Sequence, residues 1–217
     1  MSRKQLSRRH VSWLAIAAAV FYNSWPLAYW LNPVSAHKSA SQLEGLHQPY
    51  NWLFVTTDVL SAGLILLVCG AVWWGCRHSS WLAGVLLWAS LFAAGTIVAA
   101  LVPVHCSTAR QLCPSFTATW YLLVHAIASV CAGAGLSLSL LLVWWHRRRD
   151  HLLNALLLGS VTSGVITIYQ MLAPDRGGAG EKVYLTICSL WLALLPYYAY
   201  KLAAEITSSE TSERQAE

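Results

Sequence analysis

Six long apolar runs that offer no polar face limit how this chain can fold. They lie at about residues 12–32, 51–75, 80–103, 117–145, 152–173 and 183–202. Each meets the length of about 20 residues needed to cross a bilayer. A helix on the surface of a soluble domain keeps one side polar, and these runs have no such side to give to water. In hydrocarbon, backbone N–H and C=O groups must bond within the segment, so lone spans are helices. The expected fold is therefore all-α, a polytopic transmembrane bundle of about six helices.

Composition agrees. Only 11% of the residues are charged, whereas 57% are hydrophobic; soluble domains carry about 25% charged residues. Between Val11 and Arg149 the only acids are Glu44 and Asp58. The formal net charge of +5 does not point to nucleic acid, because the basic residues gather at the ends of the apolar runs rather than along one helix face. Most of the tryptophans fall near the proposed ends, among them Trp13, Trp30, Trp52, Trp73, Trp74, Trp81, Trp120, Trp144 and Trp145. An apolar ring with one N–H to satisfy favours the membrane interface. The domain expectation is a single transmembrane helical domain over residues 1–202 and a disordered polar tail over 203–217.

A basic start before an apolar run also fits a signal peptide, and SRRHVSWL resembles a twin-arginine signal. No convincing small-x-small cleavage site follows, and the run contains Tyr22, Asn23, Trp25 and Pro26. An uncleaved first span is expected. PDRGGAGEK at 174–182 reads as a flexible turn.

The six cysteines form no C-x-x-C and no zinc-finger spacing with histidine. Cys69, Cys76, Cys131 and Cys188 lie in or beside apolar runs and read as small packing residues. Cys106 and Cys113 share one short polar loop, HCSTARQLCP. On an oxidising outer face a disulfide between them is expected, with two free thiols as the alternative.

Ionisable groups inside spans are costly and are functional candidates. Asp58 and His125 lie at similar depth from the outer end, in the second and fourth spans. Helical spacing puts Asn51 and Ser61 on one face with Asp58, and Tyr121 and Ser129 on one face with His125. The fourth span continues with Ala128, Ala132 and Gly133, small enough for close helix packing. Asn23 in the first span and Ser160, Ser163, Thr167 and Gln170 in the fifth complete the polar set. The expectation is a polar pocket open to the outer side, with Asp58 and His125 approaching one another. The bland alternative is a fixed packing bond, with Ser and Thr bonded to their own helices. Glu44, His37, His47 and His105 are expected over the same mouth. A zinc site drawing on His105, His125 and Asp58 is the weaker expectation, since no local ligand spacing supports it.

The loop segment SASQLEG after the first span and the fourth-span segment YLLVHAIAS resemble an uncharacterised prokaryotic six-span family, domain of unknown function 998. The resemblance runs from about Trp13 to Tyr200. Ser39, Ser41 and Glu44 match its loop pattern, and His125 matches a histidine opening a small-residue segment. It implies a fold and a topology but no activity.

Three function classes follow. One is binding or transport of a small molecule or lipid headgroup. Another is a structural or accessory membrane protein without a ligand. The third is an intramembrane lipid hydrolase, metal-dependent in one version. No nucleotide-binding loop, haem-attachment motif or redox C-x-x-C is present, so the sequence identifies no cofactor. Membrane lipids are the expected surroundings, in the cell membrane, and nothing in the sequence signals an oligomeric state.

With the N-terminus inside, ten of the fourteen Lys and Arg residues fall on cytoplasmic segments; Lys38, Arg110, Arg176 and Lys182 fall outside. The positive-inside rule then places both termini in the cytoplasm. A fluorescent-protein fusion at Glu217 is expected to be bright and an alkaline phosphatase fusion inactive; the reverse pattern inverts the topology.

Overall fold

The computed structural model describes residues 7–33, 49–76, 80–102, 116–172 and 178–216. It is a polytopic helical membrane protein with six helical segments long and apolar enough to span a bilayer. The first span is built from α1 (Arg8–Tyr22), a 3-10 turn (Trp25–Leu27) and α2 (Ala28–Leu31). The others are α3 (Asn51–Gly75), α4 (Ser80–Leu101), α5 (Phe116–His146), α6 (His151–Leu172) and α7 (Ala179–Ala216). The six expected spans are all present. The last helix differs at both ends. It starts at Ala179, inside the segment read as a flexible turn, and it continues through the polar segment expected as a tail. Nothing in AAEITSSETSERQA breaks a helix, since it holds neither Pro nor Gly.

α7 is the hub of the bundle. It packs against α1, α3, α4, α5 and α6. Trp191, Leu192, Leu195, Tyr198 and Ala199 on α7 are all buried, together with Val11, Ala15 and Ala18 of α1. Neighbours in sequence are mostly neighbours in space, with α3 beside α1 and α4, and α5 beside α4. Trp13, Trp30, Trp52, Trp74, Trp120 and Trp145 are exposed near span ends, as interface anchoring requires.

One end of the bundle carries Arg8, Arg9, Arg147, Arg148, Arg149 and Lys201. Asp150 organises the short turn there. Its Oδ1 accepts from the backbone N–H of Leu152 and Leu153, capping α6, and its Oδ2 accepts from the Tyr198 hydroxyl of α7 at 2.9 Å. Burial pushes its carboxyl pKa up, but these donors and the charge of Arg147 outweigh it and hold the group below its usual value. Arg147 also pairs with Glu205 of α7. Trp144 Nε1 donates to Asn154 Oδ1 at 2.6 Å, and Arg148 lies over Trp145.

The closest helix pair is α4 with α5. A β-carbon on Gly135 would lie 2.6 Å from the Phe92 nitrogen and the Trp88 oxygen, and one on Gly95 would lie 2.6 Å from the Ala128 oxygen. The two backbones meet where glycine and alanine, including Ala128 and Ala132, remove the bulk between them. Gly133 points elsewhere, and its carbonyl accepts from Tyr184 of α7. Gly95→Val and Gly135→Val are each expected to lower the melting temperature in detergent sharply, because backbone atoms cannot step aside. Gly63→Ala, with open space at its β-carbon, is expected to be neutral or to stabilise by up to about 1 kcal/mol. Equal tolerance at all three positions would contradict this packing.

Candidate functional site at the broken first span

The first span breaks at Asn23–Pro26. Pro26 has no N–H to offer the carbonyl of Tyr22, and its ring disfavours helical geometry at Trp25. α1 closes with the Asn23 N–H on the Ala19 carbonyl, and the chain resumes with Leu27 N–H on the Ser24 carbonyl. In a membrane such a break persists only where side chains and neighbouring helices take over the backbone's partners. Here α3 and α7 bring polar side chains to the break and to the end of α1. Thr57 donates to Ser24 Oγ at 3.0 Å, and Ser61 donates to the Ala18 carbonyl at 2.8 Å. Asn23 Oδ1 accepts from Trp25 Nε1 at 2.8 Å and from Thr186 of α7 at 3.2 Å.

Lys182 stands one turn before Thr186 on α7. It is only 5% exposed, and its Nζ lies 5.5 Å from the Trp25 ring centroid and 5.4 Å from that of Tyr29. A nearly buried ammonium packed on two aromatic faces is a strongly placed charge. The face Lys182, Thr186, Ser189 has helical spacing i, i+4, i+7. That spacing puts Lys182 on the helix rather than in the turn expected at 174–182.

The other candidates separate into distinct roles. His125 Nδ1 lies 3.0 Å from both the Ala99 and Val102 carbonyls at the end of α4. Carbonyls only accept, so Nδ1 carries the proton. The sequence supplies the reason: residue 103 is proline, which has no N–H for the Ala99 carbonyl. His125 therefore caps α4 from α5. At Nδ1 the histidine meets these carbonyls rather than the carboxylate of Asp58. Asp58 is half-buried on α3, and α3 and α5 each pack on α4.

Ser129 donates to the His125 carbonyl, Ser163 to the Gly159 carbonyl and Thr167 to the Ser163 carbonyl, all within their own helices. Gln170 Oε1 accepts the Gly180 N–H at 2.9 Å, holding the first turn of α7. Gly180 is buried against Gln170 and Ile166, where a β-carbon would collide. Tyr121 is exposed on the side of α5 rather than in the interior.

Glu44, Ser39, Ser41, His37, His47, His105, Cys106 and Cys113 lie outside the described residues. Among the described residues, Cys69, Cys76, Cys131 and Cys188 are free thiols, and no three metal-ligating side chains come together.

The cap makes a direct test. His125→Ala removes the side-chain donor from two carbonyls in hydrocarbon and is expected to cost about 1–3 kcal/mol, read as a lower melting temperature in detergent. His125→Asn, which keeps an N–H donor, is expected to recover part of the loss. An alanine variant as stable as the parent would remove the capping role.

The family model described as protein of unknown function (DUF998) matches residues 15–200. No curated protein matches the chain, and no solved structure does.

Proposed function

For this chain, which belongs to the DUF998 family, we propose a binding or transport role at the end of the bundle where the first span breaks. The ligand is a small molecule or a lipid headgroup. The single observation behind the reading is Lys182, a nearly buried cation against Trp25 and Tyr29 on the broken segment. A charge placed inside a span is expensive and is a functional candidate by default. A discontinuous span with polar side chains at the break is a common way for membrane proteins to build a ligand site. With both termini in the cytoplasm, this end faces outward, and the cell membrane is the location that fits.

A second reading, an accessory bundle without a ligand, draws support from Ser129, Thr167, Gln170 and His125, all bonded to backbone groups. The hydrolase reading draws none from His125, whose Nδ1 is given to α4.

The experiment is a thermal-shift titration of the purified protein with glycerol 3-phosphate as headgroup probe. Binding is expected to raise the melting temperature, by the equivalent of about 2.7 kcal/mol at a hundred times the dissociation constant. The rise should vanish in Lys182→Met, which keeps the side-chain length without the charge. If the parent shows no rise, the accessory reading takes its place; a rise that persists in Lys182→Met moves the site elsewhere.

A further inference from the structure

A groove of about 710 Å³ runs between α3 and α4 on the half of the bundle nearest the arginine-bearing end. Leu66, Gly70 and Trp73 line it on one side, and Ser80, Leu87 and Ser90 on the other. Leu66, Trp73 and Leu87 are exposed, so the groove opens sideways. A β-carbon on Gly70 would meet nothing within 4 Å. We propose that this groove holds an acyl chain of an anionic phospholipid from the leaflet bordering the arginine-bearing end.

Depth chooses the occupant. From Ser90 to Ser80 the groove follows ten residues of α4, roughly 15 Å at 1.5 Å per residue. That is about half of a ~30 Å hydrocarbon core, the depth of one leaflet. A partner helix or a second copy would run the full thickness, whereas a lipid chain ends at the midplane. The lining is mostly apolar, and apolar hollows in hydrocarbon gain contacts from a fitting chain and not from water.

Chemistry at the foot of the groove chooses the headgroup. Trp81 adjoins Ser80 and stacks on His146 at 4.1 Å between ring centroids. At the foot of α3, Arg8 lies 5.1 Å from the Tyr200 ring centroid, and a β-carbon on Gly75 would lie 3.8 Å from that ring. Arg147, Arg148 and Arg149 follow His146 in the chain at the same end, and basic clusters beside spans favour anionic headgroups. The site is separate from Lys182, at the other end of the bundle, and either proposal can fail alone.

The test counts retained lipid by native mass spectrometry on the full chain reconstituted with equimolar phosphatidylglycerol and phosphatidylcholine. The parent is expected to keep one phosphatidylglycerol at least threefold more often than phosphatidylcholine. Gly70→Trp and Gly70→Leu, which fill open space, are expected to lose that lipid while keeping the parent melting temperature. Gly63→Trp, on the same helix but outside the lining, is expected to keep it. Arg8→Gln is expected to reduce the headgroup preference. Undiminished retention in both Gly70 variants overturns the proposal, as does a parent with no preference. A parent dimer that Gly70→Trp converts to monomer with lipid retention unchanged also overturns it, in favour of a second copy.

Discussion

A carbonyl that loses its helical donor has no water to turn to in hydrocarbon, and proline creates such carbonyls at fixed places in this chain. Pro26 leaves the Tyr22 carbonyl without its usual donor, Pro103 does the same to Ala99, and Pro196 does the same to Leu192 inside the continuous α7. Much of the polar architecture answers this requirement. His125 reaches from α5 to finish α4. Gln170 does the complementary work at a helix start, taking the Gly180 N–H. In each case the donor and the acceptor belong to different helices, so meeting the backbone's needs also fixes how neighbouring helices sit.

The bundle divides into two ends with different physics. At the arginine-bearing end, Asp150, Tyr198, Arg147 and Glu205 tie the α5–α6 turn to α7 through charge-assisted bonds, and Trp144, Trp145 and Arg148 stack around them. At the opposite end the polar groups lie deeper, at the broken first span, and Lys182 is packed on aromatic rings. Between the ends, α7 is buried by all the other spans, and α4 meets α5 backbone to backbone at Gly95 and Gly135.

Several features could be read directly from residues. Hydropathy marked the six spans because a bilayer imposes a length and a composition that a soluble core does not. Tryptophan positions marked the ends, and Ala128 and Ala132 marked a close helix contact. The structure adopts the bland reading of Ser129, Ser163 and Thr167, each bonded within its own helix. Asp58 and His125 show where pattern stops. Equal depth on two helices does not by itself make two residues neighbours, because depth along an axis carries no information about rotation around the bundle.

The sequence by itself determined that this chain spans a membrane six times as helices, but not the bounds of the last helix, which begins earlier and runs further than its apolar run. It also determined which residues would be hard to leave unsatisfied in lipid. These follow from the cost of exposing charge and backbone to hydrocarbon, which is a local property of each segment. Only the tertiary structure decided which group answers which need. It gave His125 to the carbonyls of α4, Asn23 to Trp25 and Thr186, and Lys182 to the rings of Trp25 and Tyr29. Those pairings depend on how helices far apart in sequence pack and turn toward one another. In these spans the periodicity is weak, since almost every face is apolar, and the rotation of each helix is set by its neighbours rather than by its own residues.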